Sequence, residues 1–270
     1  MVYGNRIVNF ESHIVQGMKV HCEDVVGSVG NTFWVIDGAT DLSDPGQYRR
    51  DTVASFVSLA NAALHDTVSR RPDLDLRVVM GEAVSKARKM AVDLWRWTND
   101  DDFHEPWSEP TFAFLIARVD GNVVEYVQAA DVSFVVTNED GMVFHEAVDD
   151  VFAKHAAESA EKIAGLDKSS PTFYEDRVDI YREIRSRANR GDTYPRGYLI
   201  GAWDGNQFES MTMHTLNLKP GKRYEFLVHS DGYPAYKSGK TENGRDDASW
   251  IRFNYRALEP GIPPEYDTDY

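Results

Sequence analysis

Residues 33–38 read Phe-Trp-Val-Ile-Asp-Gly, so four consecutive apolar side chains stand directly before an acidic residue and a glycine. An unbroken apolar run of this length is typical of a strand buried on both faces. The Asp-Gly pair is a common strand-ending turn, which places the Asp37 carboxylate at the rim of a sheet. Working outward, residues 25–36 predict a hairpin that turns at residues 28–31.

Other acidic residues stand where predicted strands begin or end, as Asp37 does. Carboxylates on the rims of several strands can converge, because rigid backbone holds each one while its oxygens face solvent or an ion. Hard divalent cations such as Mg²⁺ prefer oxygen ligands, and two neighbouring ions need several carboxylates with at least one shared. The sequence therefore predicts a metal site formed by Glu23, Asp24, Asp37, Asp131, Asp231, Asp246 and Asp247.

Length and composition indicate a globular protein. With 270 residues, of which 42% are hydrophobic and 12% aromatic, the chain can bury one large core. We expect a single domain over residues 1–258, followed by an acidic, proline-containing tail over 259–270; two smaller domains are the alternative. No apolar run approaches the roughly 18 residues of a membrane span.

Charge and cysteine content narrow the function classes. The formal net charge of −15, without a basic patch, argues against a nucleic-acid partner. Cys22 is the only cysteine, which excludes intrachain disulfides and multi-thiolate zinc sites. The first ten residues lack the features of a secretory signal, so we expect a cytoplasmic protein without membrane association.

Hydrophobic periodicity predicts strands at both ends of the chain and helices in pairs between them. Tight-turn signals at residues 120–122 and 139–141 favour an antiparallel meander. This order predicts sheets that pack together and are covered by helices, not alternating βαβ units. The predicted helices are 50–69, 76–97, 151–164 and 173–188, and the further strands are 111–119, 123–128, 132–137, 142–145, 198–203, 209–217, 223–229 and 249–255.

Five motifs, in this order and spacing, resemble the metal-dependent serine/threonine phosphatases of the PP2C family over almost the whole chain. No single motif is specific, but a chance match to all five in order is improbable. Residues 187–202 and 218–223 also resemble a compact bacterial branch of the family. The five motifs are Lys19-x-x-x-Glu23-Asp24, residues 33–38, Ala130-Asp131, residues 226–232 (Phe-Leu-Val-His-Ser-Asp-Gly) and residues 246–249 (Asp-Asp-Ala-Ser).

The resemblance implies an α+β fold, a four-layer α-β-β-α sandwich of two antiparallel sheets flanked by helix pairs. It also implies two Mn²⁺ or Mg²⁺ ions, whose bridging hydroxide hydrolyses phosphoserine or phosphothreonine in proteins. The resemblance implies that Asp37 bridges the two metals, that the Gly38 carbonyl binds one of them, and that Asp231 and Asp246 bind the other. It implies that Glu23 and Asp24 hold metal-bound waters. It also implies that Asp131, together with Asp231, binds a weaker third metal.

The chain departs from the family pattern at four places. Lys19 stands where an arginine usually grips the substrate phosphate, and a lysine lacks the bidentate fork, so weaker phosphate binding is expected. Ala39-Thr40 replaces a histidine that is a proposed general acid in many relatives, and His21 is a weaker candidate for that role. Ala130 replaces a glycine and Asp247 an asparagine, and neither change removes a ligand.

Several alternatives stay open at this stage. Each aspartate can be a mere turn or cap residue, and Lys19 can be a solvated surface lysine. The chain can be a catalytically weak regulatory or binding module, or a phosphoesterase acting on small phosphate esters. The expected partners are a phosphoprotein substrate and, with it, a cognate serine/threonine kinase.

Overall fold

The computed structural model describes residues 7–17, 21–40, 42, 52–95, 105, 107–190, 197–239 and 246–258. The predicted tail at 259–270 and Lys19 lie outside these described residues. The strands are β1 (Ile7–Val15), β2 (Asp24–Val29), β3 (Thr32–Gly38), β4 (Thr111–Asp120), β5 (Val123–Ala129), β6 (Ser133–Asn138), β7 (Val143–Ala147), β8 (Gly201–Ala202), β9 (His214–Asn217), β10 (Arg223–His229) and β11 (Ala248–Arg256). The helices are α1 (Thr52–Arg70), α2 (Leu76–Trp95), α3 (Asp150–Ala164), α4 (Phe173–Arg185) and the short α5 (Tyr233–Lys237).

The strands form two antiparallel sheets. One has the order β1-β11-β10-β6-β7, and the other has the order β2-β3-β4-β5-β9, with β8 paired to β4. Strand pairs within both sheets are antiparallel, as the predicted hairpin and meander require. The predicted α+β class with two antiparallel sheets is therefore confirmed.

Strand β3 is the centre of the molecule because its two faces serve two different cores. Phe33 and Val35 point into the layer between the sheets, where they meet Phe226 and other apolar residues of the five-stranded sheet. Trp34 and Ile36 point the other way, into the core that α1 and α2 form with the six-stranded sheet. The four side chains are at most 1% exposed, which explains the unbroken apolar run.

Helices α3 and α4 form a second pair. Phe152 of α3 and Ile184 of α4 join the core between the sheets, close to Tyr198. An ionic network holds the two helices together, since Arg187 contacts Glu158 and Glu183, and Lys162 contacts the same two carboxylates.

Several predicted elements differ from the structure. The predicted strand at 198–203 is only the two-residue β8 plus an isolated bridge at Tyr198. The predicted strand at 209–217 begins only at His214, because a 3₁₀ helix (Asn206–Ser210) follows the left-handed Gly205. The fourth predicted helix ends at Arg185, earlier than expected, and the last two residues of the second, 96 and 97, lie outside the described ranges. Strand β1 was not predicted, because most of its side chains are exposed.

None of the helices among the described residues combines the length and the hydropathy that crossing a bilayer would need.

Because of the carboxyl group of Glu109, just before β4, we expect the free energy of unfolding to depend on pH. Burial raises its pKa to about 7, and Asp204 adds to this effect while Arg190 and Arg88 oppose it. A carboxyl whose folded pKa is raised stabilises the fold fully below its unfolded pKa and loses that contribution as the pH rises through the folded value. Because the group is partly exposed, we expect a loss of about 1–2 kcal/mol between pH 4.5 and pH 8.

The change Glu109→Gln should remove this part of the pH dependence. Urea unfolding of both proteins at pH 5 and pH 8 measures this pH dependence. At pH 8 the variant should be more stable relative to the wild type than it is at pH 5. An equal pH dependence in the two proteins would contradict the assignment.

Candidate metal centre

The strand ends that carry the acidic residues lie on one side of the molecule. Asp24 begins β2 and Asp37 stands near the end of β3, and the two residues are directly opposite each other in the antiparallel ladder. Side chains at such positions share one face and have Cβ atoms about 4.5–5.5 Å apart. Two carboxylates at this spacing repel each other unless protons or cations intervene.

The five-stranded sheet brings further carboxylates to the same end. His229 at the end of β10 pairs with Ser133 at the start of β6. Asp231 and Asp131 each lie two residues beyond this pair, and Asp246 lies two residues before β11. A cavity of about 370 Å³ opens here and is lined by Asp37, Gly38, Asp131, Asp231 and Asp246.

The structure thus brings five of the candidate site residues into one cavity. Glu23 and Asp24 are not among the lining residues. Asp24 is 3% exposed and pairs with Asp37 across the two strands, whereas Glu23 holds the end of β3 through its carbonyl, which accepts from the Gly38 N–H at 3.0 Å. These positions fit a supporting role better than direct contact with a ligand.

The pKa of Asp37 reports the convergence of the carboxylates. Burial raises this pKa well above its ordinary value, and the charges of Asp24, Asp231, Asp131 and Asp246 raise it further. The pKa of Asp24 is raised as well, chiefly by burial. Without a counterion, such a cluster favours the protonated form of its carboxyl groups. A bound divalent cation would offset the repulsion between the charged carboxylates.

The residues present fit hard divalent cations. All the carboxylates offer oxygen donors, and the buried Oδ2 atom of Asp24 has no hydrogen-bond partner among the described residues. Among the described residues, no group of three or more acidic, histidine or cysteine side chains lies close enough together to hold a metal ion. The carboxylates therefore surround the cavity without forming a closed coordination shell.

Asp247 has a structural role that the sequence did not reveal. Its side chain is 1% exposed, and its two carboxylate oxygens accept hydrogen bonds from the backbone N–H groups of Gly17 and Glu23, each at 2.7 Å. One carboxylate therefore ties the segment after β1 and the segment before β2 to the start of β11. An asparagine could accept only through its single oxygen.

Gly38 is required because the chain approaches it closely. A Cβ atom here would lie 2.6 Å from Cγ1 of Val53 and 2.8 Å from the Glu23 carbonyl oxygen. The Gly38 backbone can therefore stay at the cavity only without a side chain.

Ala130 occupies a conformation that favours glycine. Its φ is +63°, in the left-handed region, and its N–H donates to Oδ2 of Asp149 at 3.0 Å. Asp149 also caps helix α3, where its Oδ1 accepts from Val151 and Phe152. The turn that presents Asp131 is thereby joined to the start of α3.

We expect Ala130→Gly to stabilise the protein. Left-handed backbone costs a residue with a Cβ about 1–2 kcal/mol, and the greater freedom of glycine in the unfolded chain returns about 0.4–1 kcal/mol of this. The net gain should be about 0.5–1 kcal/mol in denaturant unfolding. Ala117→Gly in β4 is the control and should destabilise; a loss at both positions would contradict the strain at Ala130.

Neither Cys22 nor the weaker candidate His21 lines the cavity. Burial raises the pKa of Cys22 to about 12, with further contributions from Asp247 and Asp24, so its thiol stays protonated at neutral pH and is no nucleophile. His21 is exposed and does not line the cavity, whereas Ala39 and Thr40 do.

Comparison with known proteins supports the fold. No protein-family model matches the chain, and no curated protein is significantly similar to it in sequence. The structure resembles the serine/threonine phosphatase PstP/Ppp of Mycobacterium tuberculosis, with 15% identity, a TM-score of 0.55 and coverage of 94% of this chain and 100% of that one. It also resembles the catalytic domain of PstP in complex with two manganese ions, with 14% identity, a TM-score of 0.54 and coverage of 93% and 99%.

A bacterial serine phosphatase gives a similar match, with 11% identity, a TM-score of 0.52 and coverage of 93% and 99%. At these identities the likeness concerns the fold. It confirms, at that level, the resemblance to PP2C-family serine/threonine phosphatases that the motifs indicated.

Proposed function

We propose that this protein hydrolyses phosphoserine and phosphothreonine in proteins with the help of two Mn²⁺ or Mg²⁺ ions. The observation that supports this most is the meeting of Asp37, Asp131, Asp231 and Asp246 in one cavity. The fold shared with serine/threonine phosphatases adds to it.

Asp37 would bridge the two ions, with the carbonyl of Gly38 on one and Asp231 and Asp246 on the other. Asp131 would hold a third, weaker ion together with Asp231. When bound, divalent cations lower the pKa of a coordinated water and neutralise charge on the phosphoryl group. Glu23 and Asp24 would support the arrangement from behind, and Lys19 would contact the substrate phosphate.

In the reaction, a water oxygen forms a bond to phosphorus while the bond from phosphorus to the seryl or threonyl oxygen breaks. The leaving oxygen needs a proton. We propose that this proton comes from water, although Tyr181 and Tyr198 also line the cavity.

The proposed partners follow from the reaction. They are a phosphoprotein substrate and the serine/threonine kinase that forms it, and the proposed compartment is the cytoplasm. One structural relative is described as a protein phosphatase with two manganese ions, which favours manganese as the first metal to test.

Phosphate release from para-nitrophenyl phosphate and from a phosphothreonine peptide, with and without Mn²⁺, tests the proposal. Mn²⁺-dependent turnover of both substrates is expected. Turnover of the small ester alone would identify a phosphoesterase of another specificity, and no turnover of either with metal bound would indicate a regulatory or binding module.

The assignment of Asp231 is tested by Asp231→Asn in the same assay. The variant should lose both activity and affinity for Mn²⁺, because an amide is a poorer ligand than a carboxylate. Wild-type rate and affinity in this variant would contradict its role.

A further inference from the structure

Helices α3 and α4 contribute four aliphatic residues to the lining of the cavity. Ala156, Ala160 and Ile163 follow one another at spacings of four and three residues, so they form one stripe on α3. Ile184 faces the cavity from α4. This set of four residues is called the helix wall below.

The helix wall is accessible, and it contains one unused polar group. Ala156 and Ala160 are exposed although they line the cavity, so nothing in the described structure covers them. Ser159 also lines the cavity and is 7% exposed, and its Oγ has no hydrogen-bond partner within the part of the chain that the structure describes. A buried hydroxyl without a partner costs free energy unless a ligand or water satisfies it.

The helix wall is held in a fixed position. On α4, Arg182 donates from Nε and Nη2 to the Leu42 carbonyl at 2.9 and 2.8 Å, and Arg185 donates from Nη1 to the Thr40 carbonyl at 2.6 Å. These three hydrogen bonds join α4 to residues that follow the end of β3. The distance between the wall and the acidic rim is thus set before any substrate arrives, which lowers the entropic cost of binding.

The charged residues that line the cavity come from different elements of the fold. The four lining carboxylates belong to the strand ends, and Arg185 is the one cation among the described lining residues. The helix wall itself carries no charge. A phosphoryl group can therefore lie on the acidic side only with cations, while the group attached beside it meets apolar surface.

We propose that the helix wall selects phosphoproteins in which an aliphatic side chain stands next to the phosphoserine or phosphothreonine. The aliphatic group packs on Ala156, Ala160, Ile163 and Ile184, and the Ser159 hydroxyl bonds a main-chain group of the substrate. This inference rests on the proposed phosphatase function and names the substrate class of the same site.

Phosphothreonine peptides that differ only in the residues flanking the phosphothreonine test this selection. Leucine or serine is placed at each flank in turn, and kcat/KM is measured by phosphate release with Mn²⁺. At one flank, leucine should be favoured about tenfold, which corresponds to partial burial of one aliphatic side chain. Ala156→Gln and Ala160→Gln should each reduce this ratio towards one.

Ala157→Gln is the matched control, because Ala157 is exposed on the same helix and does not line the cavity. It should keep the wild-type preference for leucine. Equal rates for all peptides, or a preference unchanged in both wall variants, would overturn the selection while leaving the phosphatase function intact. If the wild type hydrolyses none of the peptides in the presence of Mn²⁺, the proposed function is overturned, and this inference with it.

Discussion

Replacing Asp37 by asparagine is expected to abolish Mn²⁺-dependent phosphatase activity and, at the same time, to stabilise the metal-free protein. Mutating a residue that only supports a metal ligand typically lowers activity or metal affinity by about 10- to 100-fold. For Asp37 we expect activity to fall by more than about 100-fold. Asp37 would be a direct ligand of both ions.

The gain in stability follows from the electrostatics of the metal-free cavity. Burial and four neighbouring carboxylates raise the pKa of Asp37, so its charged form is unfavourable in the fold at neutral pH. The neutral amide removes that repulsion, and we expect about 1–3 kcal/mol of added stability without metal. Saturating Mn²⁺ should stabilise the wild type and leave the variant nearly unchanged.

Thermal unfolding of both proteins in EDTA and in Mn²⁺ measures these effects. Asp93→Asn, at an exposed position of α2, is the control and should match the wild type in both conditions. An Asp37→Asn protein that is less stable than the wild type in EDTA would show that Asp37 does not stand in a repulsive cluster.

Replacing Asp247 by alanine should be the most destabilising change at the site. It removes the two hydrogen bonds that the backbone N–H groups of Gly17 and Glu23 donate to the Asp247 carboxylate. Hydrogen bonds to a charged group are worth about 1.5–3 kcal/mol each, so we expect a loss of about 3–5 kcal/mol. Asp247→Asn keeps one acceptor and should lose about half as much.

Denaturant unfolding of the two variants tests this order. Asp120→Ala, at the exposed end of β4, serves as the control and should stay close to the wild type. The same stability in Asp247→Ala and wild type would contradict the structural role. A loss as large in the asparagine variant as in the alanine variant would show that the two bonds are not independent.

The parts of the fold that the sequence predicted are those with strong local patterns. The apolar run at residues 33–36 and the turns at Gly121 and Gly141, both with positive φ, specify the hairpin and the meander locally. Strand β1 escaped prediction because it lies at a sheet edge with exposed side chains, so its pairing with β11 decides its conformation. A strand was predicted at residues 198–203 because a buried irregular segment is as apolar as a strand.

The candidate site, like the fold, has parts that the sequence predicted and parts that it did not. The acidic residues at strand ends were visible because each follows or precedes an apolar run. The tie made by Asp247 and the helix wall were not, because both join segments far apart in the chain. Hydrogen bonds between residues 17 and 247, or between residues 42 and 182, leave no local pattern.

Calorimetric titration with Mn²⁺ of the wild type, Asp37→Asn and Asp231→Asn tests most directly whether the acidic strand ends are a metal centre. The wild type should bind two ions, with a weaker third at higher concentration. Both variants should bind fewer ions or bind them more weakly. Absence of binding to the wild type, or equal binding by all three proteins, would contradict the assignment of these carboxylates as metal ligands.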